Sequence, residues 1–417
     1  MAKFYQLSRE ERIAQLQRSG QLNETAARLL RTAPLLPAAT AAHLTENQLG
    51  QFPLPLGVVH QLSVNGITRE VAIVGEEPSV VAAASNGARM ASLGSGVTAQ
   101  APQTHLVTAE IVYADLATDA AQRIQAAQPD LLRCAQMAHP SIVRRGGGVR
   151  SVRTTEQGQF TTVFVDVDVQ EAMGANIVNT IAEAMADRLD QLLATHRLFA
   201  VLSNYSEQLT QARVDLPLAA VATTAGNGAA VAQRIELASR YAESSTARAT
   251  TSNKGVMNGV AGAAIALGND YRALEAGVHA YAGRGAGYAP LTRWRVEGTQ
   301  LRGTISLPLQ VGTVGGAISA LPLARVSREL GHIESVRDEQ EVLAALGLVQ
   351  NLAALRALVG PGIQAGHMAL QAGALAIAAG ASGAEVDALT SLLQNSAKTL
   401  GNAQQLLKQL RHEEEAK

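Results

Sequence analysis

Apolar and polar positions change their spacing several times along the chain, and each change predicts a different element. Ser8-Arg9-Glu10-Glu11 is a capping-box string ahead of Ile13 and Leu16, so a helix is expected to begin near residue 9. A second begins at Asn23 and buries Leu29 and Leu30, after which Pro34, Pro37, Pro53 and Pro55 break regular structure around Glu46-Asn47-Gln48-Leu49-Gly50. Val58 to Val64 and Ile67 to Val74 are β-rich runs joined by Asn65-Gly66, a dipeptide suited to the positive φ angles of a tight hairpin. This hairpin runs directly into Glu76-Glu77-Pro78-Ser79, where Pro78 disfavours helix before it and suits the first helical turn.

From Thr104 to Pro217 short strands and helices alternate. Leu106 to Tyr113 reads as a strand and Leu116 to Met137 as mostly helical, while Val163, Val165, Val167 and Val169 alternate with Thr162, Phe164, Asp166 and Asp168. Ile177, Ile181, Met185, Leu189, Leu192 and Leu193 mark one helical face, and Gln211 to Leu216 supplies a closing strand. That βαββαβ order predicts a ferredoxin-like module inserted into a larger domain. Leu218 to Gly380 is Ala- and Gly-rich and helical in pattern apart from Gly303 to Val311, and the tail from Glu385 spaces its leucines as one or two amphipathic helices with Gly401 as the break. The fold expected is α+β in three parts: a large helix-rich domain from 1–103 and 218–380, the inserted module at 104–217, and a C-terminal helical flap at 381–417.

A chain of 417 residues is too long for one ordinary core, and 47% hydrophobic with 17% charged residues is the composition of a folded protein. Net charge is −1, from 34 basic and 35 acidic residues without a long basic block, so nucleic acid is not an expected partner. Cys134, the single cysteine, cannot form an intrachain disulfide and lacks metal-ligand neighbours, which predicts a reducing compartment, a small core residue and no metal site. Met1 to Glu11 is charged, with no apolar core of a signal peptide, and Met368 to Ala381 is short of the roughly 20 residues of a bilayer span. A cytoplasmic protein with no membrane partner is expected.

Four strings bring in chemistry: Glu76-Glu77-Pro78-Ser79, Asn253-Lys254-Gly255-Val256-Met257-Asn258-Gly259, Gly268-Asn269-Asp270 and Gly366-His367-Met368. Together they supply carboxylates, an ammonium and an imidazole, a set able to stabilise an oxyanion and move protons while a carbonyl is reduced. Each string also has a plain reading. The paired glutamates suit a helix N-terminus, Lys254 alone is a surface lysine, Asp270 caps a helix from Tyr271, and a lone histidine after Gly360-Pro361-Gly362 is a structural residue. Gly283-Arg284-Gly285-Ala286-Gly287 lacks the spacing of a dinucleotide fingerprint and follows no strand, which argues against an ordinary Rossmann domain.

With Glu46-Asn47-x-x-Gly50, Gly146-Gly147-Gly148, Met173-Gly174-Ala175-Asn176, Ser203-Asn204 and Val311-Gly312-x-Val314-Gly315-Gly316, the four strings resemble, in order from residue 46 to 370, class II (soluble prokaryotic) 3-hydroxy-3-methylglutaryl-CoA reductases. The resemblance implies reduction of 3-hydroxy-3-methylglutaryl-CoA to mevalonate and CoA with two NAD(P)H, or the reverse. It makes Lys254 the oxyanion partner, Glu77 the proton donor at the aldehyde stage, Asp270 the residue that joins them in one network, and His367 the donor to the departing CoA thiolate. By matching position, Arg248 pairs with the free carboxylate of the substrate, assisted by Ser79 and Asn258. Arg9 or Arg12 offers charge to CoA phosphates, with surface helix charge as the other account.

The same resemblance places the nicotinamide cofactor on the inserted module, near Met173, Gly174, Asn176 and Asn204. His139 stands where NADH-using relatives carry an aspartate, and Ser141, Arg144 and Arg145 offer a donor and positive charge to a 2′-phosphate, so NADPH is expected to be preferred over NADH. The alternative for the two arginines is a solvated loop. A homodimer with a shared active site, or a larger assembly of dimers, is implied, and the helices after Gly380 are the candidate lid. Glu171 departs from the family's usual aspartate, and the tail beyond His367 diverges. Two rivals stand beside this reading: another NAD(P)-dependent acyl-CoA or aldehyde reductase, and an Ala-rich helical scaffold.

Overall fold

Asn65 and Gly66 take φ angles of 52° and 80° and turn β1 (Leu56–Val64) back onto β2 (Ile67–Val74), the hairpin expected of this dipeptide. The computed structural model describes residues 3–32, 35–224, 226–360, 362, 372–394 and 396–415. Further strands are β3 (Val97–Gln100), β4 (Leu106–Ala114), β5 (Gly148–Gln157), β6 (Phe160–Asp168), β7 (Phe199–Leu202), β8 (Leu209–Pro217), β9 (Thr292–Glu297) and β10 (Gln300–Pro308). They form a six-stranded sheet, β2-β1-β3-β8-β10-β9, and a four-stranded antiparallel sheet, β5-β6-β4-β7. The chain is α+β.

The four-stranded sheet has the ferredoxin-like order, but its closing strand is β7. β8, which contains the predicted Gln211 to Leu216, pairs instead with β3 and β10 in the larger sheet. Its alternation fits either sheet equally well, and the neighbours decide: Ala212, Val214 and Leu216 are buried in the same core as Leu301 and Ile305. Val163, Val165 and Val167 of β6 point into a separate core with Ile181, Met185 and Leu189 of the helix Ala175–Leu193.

Against the six-stranded sheet pack the helices Pro78–Ala91, Thr246–Ala266 and Val336–Val359. The last contains an 18-residue window of mean hydropathy 1.8, which meets the length and composition of a membrane span. Yet 78% of that window is buried within the protein's own core, which accounts for its hydrophobicity. Met368 to Gln371 of the apolar stretch singled out above lie outside the described residues.

Helix Arg9–Arg18 starts with the predicted capping box of Ser8 and Glu11, and helix Glu24–Thr32 starts where Asn23 Oδ1 accepts from Ala26 N at 2.9 Å. Arg9 donates to the carbonyls of Leu30 and Arg31, and Arg12 to those of Phe4 and Tyr5. Both guanidiniums thus satisfy backbone acceptors at element ends. Cys134 is half-buried, with Sγ 3.3 Å from the Ala184 carbonyl oxygen, and burial pushes its thiol pKa up, as suits a packing residue. The tail forms Ala384–Gln394 and Leu400–Glu415, so the break falls before Leu400 and Gly401 is helical. Leu389, Leu393 and Leu407 close with Ala372 and Ala376 into a small cluster of their own.

Candidate active site

β2 delivers the chain to Glu77, which is the N-cap of helix Pro78–Ala91 in extended conformation, with Pro78 in the first turn. Ser79 Oγ donates to Glu77 Oε1 and fixes that carboxylate at the helix start. Helix Thr246–Ala266 carries Arg248, Lys254 and Asn258. Asn253, fully buried beside Lys254, donates through Nδ2 to the Ala289 carbonyl at 2.9 Å and accepts from Leu291 N at 2.9 Å. This clamp sets the rotation of the helix and leaves Lys254 on its open side.

Glu76, Glu77, Lys254 and Asn258 line one cavity of about 320 Å³ whose walls include Ile73, Val80 and Met257. Apolar walls lower the local dielectric and strengthen any bond the ammonium makes there. Lys254 is exposed on the cavity side of its helix, and its ammonium carries three hydrogen-bond donors.

Asp270 and Arg248 are placed differently. Asp270 caps helix Tyr271–Ala282, accepting from Arg272 N at 3.0 Å and Ala273 N at 3.3 Å, and the Arg272 guanidinium binds both of its oxygens at 3.0 and 3.1 Å. That pairing holds its pKa below the usual carboxylate range. None of the bonds that Asp270 makes with described residues reaches Lys254, and neither Asp270 nor Arg248 lines the cavity. Arg248 is half-buried in the first turn of its helix, and His367 lies outside the described residues.

Two cavity residues went unread in the sequence. Glu275 and His279 stand four apart on the helix that Asp270 caps, with His279 Nε2 2.8 Å from Glu275 Oε2 and Nδ1 2.5 Å from Tyr288 Oη. An acid and a histidine at this spacing on an amphipathic helix was the available signal.

On the smaller unit, Gly174 is the N-cap of the 19-residue helix Ala175–Leu193 at φ +97°. A side chain there would be strained by this φ and would meet Val169 Cγ1 at 2.5 Å. No side chain caps the helix and its first turn carries no acid, so its amides and the positive end of its dipole are open to an anion. Met173 precedes the cap, and Asn176 is exposed in the first turn. The Asn204 carbonyl oxygen meets helix Tyr271–Ala282 at Gly277, where a Cβ would come within 2.7 Å. His139 Nδ1 lies 3.2 Å from Ser141 Oγ, and Arg144 and Arg145 are exposed just before the triple glycine. A diphosphate at the Gly174 helix end and a phosphorylated ribose near the arginines fit these residues.

Residues 8–372 match the family model of hydroxymethylglutaryl-coenzyme A reductase. The chain is 37% identical over 416 residues to a 3-hydroxy-3-methylglutaryl-coenzyme A reductase of Archaeoglobus fulgidus, covering 98% of this chain and 94% of that one. A probable reductase of the same name from Borreliella burgdorferi is 34% identical over 79% of this chain and 76% of its own. Among solved structures, a 3-hydroxy-3-methylglutaryl-coenzyme A reductase from Streptococcus pneumoniae superposes with a TM-score of 0.83 at 37% identity, over 98% of this chain and 99% of that one. A class II enzyme of the same organism, bound to NADPH in open conformations, gives 0.82 at 36% identity over 86% and 99%. Matches of this extent, carried over both sheets and the cavity between Glu77 and Lys254, show that the chain belongs to the hydroxymethylglutaryl-coenzyme A reductase family, alongside its class II members.

Proposed function

We propose that the chain is an NAD(P)H-dependent oxidoreductase that interconverts 3-hydroxy-3-methylglutaryl-CoA with mevalonate and CoA. The observation that carries this reading is the single cavity onto which Lys254 and Glu77 both open. When bound, the reduced nicotinamide supplies hydride to the thioester carbonyl and then to the aldehyde. Lys254 faces the carbonyl oxygen and stabilises the negative charge that gathers on it at each stage. Glu77, held by Ser79, gives a proton to the aldehyde oxygen. Asn258, on the same helix face as Lys254, orients the substrate, and Arg248 binds its free carboxylate. His367 protonates the leaving thiolate and so prevents its return. Asp270 acts by aligning Lys254, a role that requires it to turn away from Arg272.

Several finer assignments belong to this proposal. The four-stranded unit from Leu106 to Leu202 holds the cofactor, with its diphosphate at the Gly174 helix end, and the remainder of the chain up to 380, β8 included, holds CoA and substrate. The segment after helix Ala38–Leu44, which turns at Glu46–Asn47, leaves Leu49 and Phe52 102% and 89% exposed, an apolar arm suited to cover by a second copy. A homodimer is therefore proposed, and sedimentation of a monomer at micromolar concentration would remove it. The tail helices, with a core of their own, are proposed as a lid at 381–417. A cytoplasmic location is proposed from the reducing environment that a single thiol suits.

The deciding experiment mixes purified protein with 3-hydroxy-3-methylglutaryl-CoA and NADPH or NADH and follows nicotinamide absorbance. Two equivalents of cofactor oxidised per mevalonate formed support the reading; turnover with another acyl-CoA alone selects the rival reductase, and none with any selects a scaffold. NADPH is the proposed preference, because Arg144, Arg145 and Ser141 offer charge and a donor where an acid is missing. His139→Asp should shift the kcat/KM ratio of NADPH to NADH toward NADH by about tenfold or more, as expected for a carboxylate opposed to a 2′-phosphate. A wild-type ratio favouring NADH contradicts this assignment.

A further inference from the structure

Between the two sheets lies a buried polar cluster that the reaction above does not use. Glu339, in the first turn of helix Val336–Val359, is fully buried. Its Oε1 accepts from Asn269 Nδ2 at 2.5 Å, and its Oε2 is buried without a partner among the described residues. Asn269 immediately precedes Asp270, and its side chain also holds Gly312, donating to the carbonyl at 3.1 Å and accepting from the amide at 2.8 Å. Gly312 in turn lies against the Ala172–Met173 backbone, where a Cβ would stand 2.2 Å from Met173 N. Glu171 completes the junction: its carbonyl accepts from Thr313 N at 2.8 Å, and its carboxylate accepts from Thr313 Oγ1 at 2.7 Å and Val336 N at 2.8 Å.

We propose that Glu339 is a positioning residue that locks the Asn269–Asp270 turn to the Gly312–Thr313 strand exit, and through it holds the Lys254 side of the active site in register with the Glu171–Met173 entry to the cofactor helix. The inference rests on the functional reading above for the roles of Asp270 and Met173. Geometry alone makes Asn269 the shared partner of both sides. An amide bonded to backbone on one hand and carboxyl on the other cannot move without breaking both.

The lock has a charge state. Burial pushes the Glu339 pKa up to about 8 from its ordinary 4.5; Arg328, facing it from helix Pro322–Leu330, opposes that shift, and Glu171, facing it from the turn after β6, adds to it. On its own helix, Asp338 is engaged with Ser335 and Arg69, and Glu341 with Asn65. At neutral pH Glu339 is therefore the uncharged acid, which tolerates the partnerless Oε2 far better than a carboxylate does. The folded chain keeps a proton that the unfolded chain releases, so stability is lost as pH rises from about 4.5 through about 8. Above that, a bare carboxylate beside Glu171 loosens the junction.

The test compares Glu339→Gln and Glu339→Leu in the full chain. Gln keeps the uncharged acceptor: kcat at pH 7 should stay within about threefold of wild type, and any fall in kcat between pH 7.5 and 9 should flatten. Leu removes the acceptor: kcat should fall by about 10²-fold, as for a catalytic group displaced by about 1 Å, and amide exchange at residues 268–271 and 311–314 should quicken together. Unchanged exchange at both segments in Glu339→Leu overturns the proposal, as does wild-type kcat in that variant or an unaltered alkaline limb in Glu339→Gln. Should Glu339→Leu fail to fold, the Gln pH profile and its flattened stability slope decide alone. Exchange and stability also remain readable if the wild-type protein proves inactive toward the proposed thioester, which separates failure of the lock from failure of the functional reading.

Discussion

Lys254→Ala should abolish nearly all turnover while the fold survives intact. The side chain is exposed on the cavity side of helix Thr246–Ala266. Alanine also favours the helix at least as well as lysine. What is lost is the cation proposed to face the carbonyl oxygen when hydride arrives. Removing one preorganised oxyanion donor costs about 10²–10³ in rate, or about 2.7–4 kcal/mol. Steady-state kcat together with the thermal midpoint checks both halves. Activity within a fewfold of wild type at an unchanged midpoint would reject Lys254 as the oxyanion partner, while a collapsed midpoint would show a structural role.

Truncation before Glu385 should give a separate signature, with turnover lost and the main core unharmed. Leu389, Leu393 and Leu407 pack with Ala372 and Ala376, and this cluster shares no residue with the core around the six-stranded sheet. The pairing of Arg411 with Glu385, at 2.7 and 2.9 Å, likewise joins tail to tail. A unit with a core of its own can move as a body, as the proposed lid must when oxidised cofactor leaves between two hydride steps. Without it water enters the site and the substrate is less well aligned, and loss of alignment alone costs about 10²-fold. The expected result is a sharp fall in kcat with chemical unfolding of the main core nearly unchanged. Wild-type turnover from a folded truncation would reject the lid.

These outcomes depend unequally on sequence and on folding. Local rules were enough wherever a few adjacent residues settle the backbone. The Ser8–Glu11 capping box, the Asn65-Gly66 turn and the Asp270 cap all formed where short-range hydrogen bonding and allowed φ angles put them. The ordered strings around Glu77, Lys254 and Asp270 made the family legible, because each combines a chemical group with the small neighbours that let backbone approach it. Period-two and helical spacing likewise exposed the module as far as its second helix, while the closing strand was placed in β8 and is β7.

Long-range partners were beyond such rules. The alternation of β8 says that one of its faces is buried but not against which sheet, and the larger sheet took it through β3 and β10. Helix Val336–Val359 reads by hydropathy as a membrane candidate until the strands and helices that enclose it are in place. Glu275 and His279 became cavity residues because helix Tyr271–Ala282 lies beside Lys254, and Asp270 turned to Arg272, a neighbour two residues away. Glu339 is the clearest case: from sequence it is an acid in a helical first turn, where charge is favoured. Only burial beside Asn269 makes it an uncharged one, since desolvation depends on everything packed around a group and on nothing in its own sequence neighbourhood.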